Sequence, residues 1–137
     1  MSESPDNALT PATILIVEDN PQNLELLQVY MEDLEPEVTT ILATNGVEAL
    51  DRVAQQKPDL ILLDIMMPRM SGFEVCRHLK GSPDTRDILV VMITALSETG
   101  DIERATECGA DDYLTKPVER AAVVNLVRTM LQSRQSS

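Results

Sequence analysis

The sequence predicts an α/β fold, in which a doubly wound parallel sheet carries helices on both faces. Residues 14–17, 60–63 and 89–93 are short and nearly continuous apolar runs, the pattern of strands that are covered on both faces. Segments with a helical period lie between these runs and after them. Because strand and helix alternate five times, the chain requires a parallel sheet with right-handed crossovers and a layer of helices on each side.

Two weaker strands complete the predicted sheet. Residues 38–43 and 112–114 have strand-like patterns, and each lies between two predicted helices. The second of these strands is placed mainly by the helix before it, which we expect to end at Gly109 because glycine is favoured just past a helix C-terminus.

The predicted helices are recognised by apolar residues that recur at helical spacing. The first has Asn20 as its cap and Pro21 in its first turn, and the third opens near Gly72. The buried faces are predicted from Leu24, Leu27, Met31 and Leu34; from Leu50, Val53 and Ala54; from Phe73, Val75, Cys76 and Leu79; from Ile102 and Ala105; and from Val123, Leu126, Val127, Met130 and Leu131.

The length and composition predict one compact soluble domain. The chain has 137 residues, of which 43% are hydrophobic and 25% are charged. We expect a flexible leader at residues 1–12, the domain at 13–132 and a polar tail at 133–137. No apolar run approaches the roughly 20 residues that span a membrane, and the start resembles no signal peptide. We therefore expect a cytoplasmic location.

Charge and thiol content exclude several classes of function. The net charge of −12 repels nucleic acid phosphates and anionic membranes, so neither is an expected partner. Cys76 and Cys108 form no CxxC motif, and His78 is the only histidine of the sequence, which excludes a zinc site or a thiol–histidine pair. We predict that both thiols are reduced packing residues and that His78 is an exposed helix residue.

Polar residues follow four of the five predicted strands. Glu18 and Asp19 come after the first strand and Asp64 after the third, while Thr94 follows the fourth and Lys116 the fifth. In open α/β sheets, ligands bind at the carboxyl ends of the strands, in the crevice where the strand order reverses. We expect these side chains to converge there, and Gly72 to permit a close backbone approach beside them.

This set of residues predicts a divalent cation and phosphoryl transfer. Two carboxylates about 4 Å apart repel each other by roughly 4 kcal/mol at an effective dielectric of 20, so several in one crevice need a proton or a cation. Glu18, Asp19, Asp64 and the backbone carbonyl of Met66 suit Mg²⁺, and Mn²⁺ is an acceptable substitute. An aspartate is a competent nucleophile toward phosphorus, and Lys116 would share the charge of the transferred group. The sequence has no nucleotide-binding glycine motif, so ATP is not the expected donor.

Four motifs closely resemble the receiver domains of two-component response regulators over residues 13–132. They are ILIVEDN at residues 14–20, LILLDIMMPRMSGFEV at 60–75, VMITA at 91–95 and YLTKP at 113–117. The stretch MMPRMSGFEVCRHLK is also similar to receivers that are attached to diguanylate cyclases or that work alone in developmental signalling. The predicted strand order is 2-1-3-4-5, that of a flavodoxin-like three-layer sandwich.

The resemblance implies a role for each site residue. Asp64 would be the phosphoacceptor, and Thr94 and Tyr113 would be the switch residues. Lys116 would pair with the phosphoryl group, and its bond to Pro117 is similar to one that is cis in the family. A histidine kinase or a phosphotransfer protein would be the donor. The output, toward an unidentified protein, would come from the face formed by the fourth helix, fifth strand and fifth helix, in a monomer or a weak phosphorylation-dependent dimer.

Met66 and Leu96 predict a long-lived phosphoaspartate. They occupy positions that influence the attack of water on the acyl phosphate in the family that the chain resembles. Both are apolar here, so neither orients a water molecule by hydrogen bonding.

Two other functions share parts of this pattern. A phosphohydrolase of the haloacid dehalogenase type also uses an aspartate nucleophile, Mg²⁺, a hydroxyl residue and a lysine, but it needs a second aspartate where Met66 stands. We therefore expect no turnover beyond the chain's own phosphorylation and dephosphorylation. A receiver-like scaffold that works without phosphorylation is the other alternative, and it requires that Asp64→Asn leave the function intact.

Overall fold

A computed structural model of the protein describes residues 10–95 and 99–136, with only the backbone for 99–102 and 135–136. The described residues form a five-stranded parallel sheet in the order β2-β1-β3-β4-β5. This confirms the predicted order. The strands are β1 Ala12–Val17, β2 Val38–Ala43, β3 Leu60–Asp64, β4 Leu89–Thr94 and β5 Asp112–Thr115.

A helix follows each strand. The helices are α1 Pro21–Met31, α2 Gly46–Gln55, α3 Gly72–Lys80, α4 Thr99–Glu107 and α5 Arg120–Ser136, and a 3₁₀ turn at Glu32–Leu34 extends α1. As predicted, the Asn20 side chain caps α1, accepting from the amides of Gln22 and Asn23 at 2.9 and 3.1 Å. Gly109 follows α4 with a φ of 95°, a left-handed conformation that favours glycine.

The element boundaries differ from the predictions by a few residues. β3 and β4 each include one further residue, Asp64 and Thr94, which are polar but pair within the sheet. The last helix continues to Ser136, so most of the predicted tail prolongs the helix. Residues 1–9 of the predicted leader, Leu96 and Ser137 lie outside the described residues. The division into a leader, a domain and a tail therefore stays a prediction.

The sheet buries one apolar cluster on each of its two faces. On one face, Leu15, Val17, Ile61 and Leu63 pack against α2, α3 and α4. On the other, Ile14, Ile16, Leu60 and Leu62 pack against α1 and α5. Burying one such side chain contributes about 1.5–3 kcal/mol, so the central strands hold both helical layers in place. The polar site residues therefore project from a rigid edge.

The cysteines and His78 lie where the sequence predicted them. Cys76 and Cys108 are buried and not disulfide-bonded, and the Cys76 thiol donates to the Cys108 carbonyl oxygen at 3.4 Å. Burial raises the pKa of the Cys76 thiol. His78 is exposed on α3.

Among the described residues, no helix combines the length and the apolar character needed to cross a bilayer.

Candidate functional site

The predicted site residues converge at the carboxyl edge of the sheet. β1 pairs with β3, β3 with β4 and β4 with β5, so the residues that end these strands are neighbours. Glu18 and Lys116 lie just past the ends of their strands but keep a backbone hydrogen bond to the neighbouring strand. The Glu18 amide donates to the Ala43 carbonyl oxygen at 3.1 Å, and the Lys116 amide donates to the Thr94 carbonyl oxygen at 2.7 Å. The crevice therefore forms from four separate segments of the chain, at the ends of β1, β3, β4 and β5.

Three carboxylates meet in this crevice. Glu18, Asp19 and Asp64 each offer an oxygen, and these oxygens lie within 4.8 Å of one another. Glu18 and Asp64 are each only 1% exposed, whereas Asp19 faces solvent. The Met66 amide donates to Asp64 Oδ1 at 3.3 Å, and the Asn20 amide donates to Glu18 Oε2 at 3.2 Å. Two backbone donors thus hold the buried pair in place.

The negative charge of the crevice is only partly compensated. The Lys116 ammonium lies 3.3 Å from Asp64 Oδ1 and 3.6 Å from Glu18 Oε1. Even so, burial and the neighbouring Asp64 charge raise the pKa of Glu18 to about 7. Glu18 Oε1 is buried without a hydrogen-bond partner among the described residues. A buried carboxylate oxygen in this condition is destabilising unless a proton or a cation meets it.

The donor set fits a hard divalent cation. Carboxylate oxygens on Glu18, Asp19 and Asp64 are the ligands that Mg²⁺ prefers, and the exposed Asp19 leaves one side open to the waters that Mg²⁺ retains. Glu18 Oε1, which has an ammonium 3.6 Å away but no hydrogen-bond partner among the described residues, points to the same conclusion. The role of the Met66 backbone carbonyl as a further ligand stays a prediction.

Gly72 brings the backbone of α3 against the phosphoacceptor candidate, as the sequence predicted. A Cβ atom at this position would lie 2.4 Å from the Asp64 carbonyl oxygen and 2.9 Å from the Ile65 Cα. The Gly72 amide donates to the Ile65 carbonyl oxygen at 3.1 Å. The loop after β3 therefore folds back tightly, and it fixes the backbone that carries Asp64.

The two predicted switch residues lie on neighbouring strands. Thr94 ends β4 and is 2% exposed, one strand from Asp64. Tyr113 lies on β5, paired with Met92, and its side chain is 40% exposed. Their switch roles stay predictions. The Lys116–Pro117 bond is cis, as the resemblance implied, and Glu35–Pro36 is a second cis bond that was not predicted.

A cavity beside the carboxylates was missed at the level of sequence. It has a volume of about 400 Å³, and Leu26, Leu27, Pro117 and Val118 supply much of its apolar wall, while Glu18 and Lys116 form its polar end. Leu26 is 45% exposed on α1. The signal was present, because Leu26 is a large apolar residue outside the predicted stripe of that helix.

A contact between α3 and α4 was also missed. The guanidinium of Arg104 stacks over the Phe73 ring, 4.1 Å from its centroid. Phe73 is buried in the first turn of α3, so the contact joins α4 to the helix that directly follows the loop after Asp64. No sequence signal indicates this pair, because the two residues lie on different helices and neither forms a motif with the other.

Comparisons with known proteins agree with this geometry. The family model for the response regulator receiver domain matches residues 14–128. The response regulator PleD of Caulobacter vibrioides is 46% identical over 119 residues, which are 87% of this chain but only 26% of PleD. The polar-differentiation response regulator DivK of Brucella anthropi is 38% identical over 121 residues, which cover 88% of this chain and 97% of DivK.

A solved structure shows what such a crevice holds in a similar protein. The receiver domain of a Pseudomonas aeruginosa sensor histidine kinase was crystallised with a magnesium ion coordinated in its active site cleft. It is 27% identical to this chain with a TM-score of 0.79, and the match covers 90% of this chain and 99% of that one.

Proposed function

The chain belongs to the response regulator receiver domain family, and from that premise we propose that Asp64 reversibly accepts a phosphoryl group in a Mg²⁺-dependent reaction. The observation that carries the proposal is the buried Asp64 carboxylate, which shares a crevice with two further carboxylates and with the Lys116 ammonium at 3.3 Å. This arrangement supports Asp64 as a nucleophile whose charge is partly offset by Lys116 and would be offset further by a bound cation.

The proposed reaction is a displacement at phosphorus. An Asp64 carboxylate oxygen forms a bond to the phosphorus of a phosphohistidine, the phosphorus–nitrogen bond breaks, and the imidazole keeps the electron pair and takes up a proton. Mg²⁺ bound by Glu18, Asp19 and Asp64 would neutralise charge on the phosphoryl oxygens. Lys116 lies close enough to Asp64 to pair with the transferred group, and the buried Thr94 on the adjacent strand is the proposed hydroxyl partner.

We propose that the phosphoryl group then acts as a switch. It adds about 1.5–2 negative charges and draws the Thr94 hydroxyl inward, which leaves space for Tyr113. Tyr113 is partly exposed in this structure, so an inward rotation would change the surface formed by α4, β5 and α5. Moving a two-state equilibrium from 1:99 to 99:1 takes about 5.5 kcal/mol, and new charge-assisted hydrogen bonds would supply part of it.

The donor would be a histidine kinase or a histidine phosphotransfer protein in the cytoplasm. Catalysis by this chain would be limited to its own phosphorylation and dephosphorylation. The absence of a second carboxylate at Met66 supports this limit, because a phosphohydrolase of the haloacid dehalogenase type needs a general acid and base there. Rapid multiple turnover of a panel of phosphomonoesters would contradict it.

The direct test uses a small phosphodonor. We expect that acetyl phosphate with Mg²⁺ adds one phosphoryl group to the full chain, detected by intact mass, and that EDTA prevents the addition. Asp64→Asn should remove the adduct while the fold is retained, which circular dichroism would check. Asp51→Asn, which removes an exposed carboxylate from α2, is the matched control and should keep the adduct. An adduct that persists in Asp64→Asn would overturn the assignment.

A further inference from the structure

The side chain of Met66 is unusually accessible. It is 67% exposed, whereas Met31 is 1% exposed and Met92 is fully buried. The other methionines among the described residues, Met67, Met70 and Met130, are partly buried. Because oxidation of a thioether follows its exposure, Met66 offers the most accessible sulfur in the described part of the chain.

This sulfur belongs to the residue whose backbone holds the phosphoacceptor. The Met66 amide donates to Asp64 Oδ1 at 3.3 Å, so the Met66 Cα lies close to the carboxylate. A methionine side chain is long and unbranched, and from this point its sulfur can reach the surroundings of a phosphoryl group on Asp64. The open pocket that Met66 lines is also lined by the apolar side chains of Ile65, Met67, Pro68 and Phe73, and by the polar side chains of Ser71 and Arg104. In this region the Met66 side chain offers water only a weak hydrogen-bond acceptor.

We propose that Met66 is an oxidation site, and that its conversion to the sulfoxide by a hydroperoxide shortens the lifetime of the phosphoryl group on Asp64. This inference rests on the proposed function. The thioether sulfur attacks the terminal oxygen of the hydroperoxide, the oxygen–oxygen bond breaks, and a sulfur–oxygen bond forms as water or an alcohol leaves. The sulfur is oxidised by two electrons and the peroxide is reduced by two, and methionine sulfoxide reductases reverse the change.

The expected consequence follows from the new polar group. A sulfoxide oxygen is a strong hydrogen-bond acceptor, whereas a thioether sulfur is a weak one. Placed beside the acyl phosphate, this oxygen orients a water molecule toward phosphorus. An added hydrogen bond of ordinary strength corresponds to an acceleration of about two- to tenfold. The site would therefore report peroxide exposure as a faster loss of the phosphoryl signal.

The first part of the experiment locates the oxidation. The full chain is treated with dilute hydrogen peroxide, and peptide mapping by mass spectrometry measures sulfoxide at each methionine over time. We expect Met66 to be oxidised before Met67, Met70 and Met130. Preferential oxidation of the others, with Met66 left as the thioether, would overturn the proposal.

The second part measures decay of the phosphoryl adduct. The treated and untreated proteins are phosphorylated with acetyl phosphate and Mg²⁺, the donor is removed, and intact mass follows the adduct. We expect the oxidised protein to lose its adduct about two- to tenfold faster. In Met66→Leu, peroxide should leave the decay rate of the adduct unchanged. In Met66→Gln, the adduct should decay rapidly even without peroxide. In Met70→Leu, peroxide should accelerate the decay as it does in the parent protein.

The outcomes separate this inference from the function on which it rests. If Met66 is oxidised and the adduct decays at the original rate, the proposed regulation is wrong while the phosphorylation site stands. If the untreated protein gains no adduct at all, the proposed function fails, and the regulation fails with it.

Discussion

At the scale of single residues, the site depends on a few close approaches. Asp64 is buried at the end of β3, and the next turn of chain returns within van der Waals contact of its backbone at Gly72. Such a contact leaves no room for a side chain. The position of the Asp64 backbone therefore sets both where its carboxylate lies in the crevice and how closely the following loop can return at Gly72.

Gly72→Ala tests this contact. The new methyl group would lie 2.4 Å from the Asp64 carbonyl oxygen, and that oxygen belongs to a backbone fixed in the sheet. We expect a loss of stability toward the upper end of the roughly 1–3 kcal/mol that overpacking costs, measured by urea denaturation, together with weaker Mg²⁺ binding. Gly81→Ala is a milder control, since its Cβ would meet a carbonyl oxygen at 3.0 Å. Equal and small effects in both variants would contradict the proposed role of Gly72.

Met66→Asn, alone or with Leu96→Glu, tests the prediction of a long-lived phosphoaspartate. A polar group beside Asp64 should orient an attacking water, so we expect the adduct to decay about two- to tenfold faster for each added hydrogen bond. The measurement is the decay of the phosphorylated mass after removal of acetyl phosphate. An unchanged decay rate in both variants would refute the prediction.

At the scale of elements, one ion pair ties the end of α1 to the start of α5. The Arg120 guanidinium donates to both carboxylate oxygens of Asp33, through Nε at 2.8 Å to Oδ2 and through Nη2 to Oδ1. Both groups are near the surface, where such a pair contributes little and is screened by salt. Because the pair is bidentate, it should nevertheless be detectable in a titration of the Asp33 carboxyl.

The pKa of Asp33 should respond to this pair. The Arg120 guanidinium lowers the pKa of the Asp33 carboxyl in the folded protein. The stabilisation is therefore complete above the ordinary aspartate pKa, and it is lost as the pH falls through the lowered value. We expect Arg120→Gln to raise the pKa of Asp33 toward its ordinary range, measured by NMR titration, and to reduce stability at neutral pH but not in strong acid.

Arg77→Gln is the control for this titration. It removes the same charge from the exposed side of α3, which packs on the opposite face of the sheet from α1 and α5. The pKa of Asp33 should then remain low. A similar rise in both variants would show that net charge, and not the local pair, sets the value.

At the scale of the whole molecule, the chain combines a net charge of −12 with three carboxylates in one crevice. The apolar clusters on the two faces of the sheet must hold this repulsive arrangement together. A ligand that binds only the folded state stabilises it by an amount that grows with the logarithm of the ligand concentration once this exceeds the dissociation constant. Metal binding and folding should therefore be coupled in this protein.

Mg²⁺ should raise the unfolding temperature. At a concentration 100 times the dissociation constant, a ligand of the folded state adds about 2.7 kcal/mol. We expect Asp19→Asn, which changes an exposed residue of the proposed metal site, to lose most of this effect, and Asp51→Asn on α2 to keep it. Differential scanning calorimetry at constant ionic strength is the measurement. An equal rise in both variants would indicate general screening of the negative charge.

The sequence by itself determined the layers, the strand positions and the edge at which the polar residues emerge. Apolar runs and helical periods indicate, within one segment, which faces are buried. For this reason the order of the elements and the parallel sheet could be predicted. The predicted ends of β3 and β4 fell one residue short, because Asp64 and Thr94 are polar residues that the sheet nevertheless buries and pairs.

Only the tertiary structure decided how the emerging residues meet. Four features depend on segments that are distant along the chain. They are the carboxylate cluster within 4.8 Å, the raised pKa of Glu18, the cavity beside Leu26 and the contact between Arg104 and Phe73. Such distances depend on the register of neighbouring strands and on how helices pack across them. A periodic pattern within one segment carries no information about either.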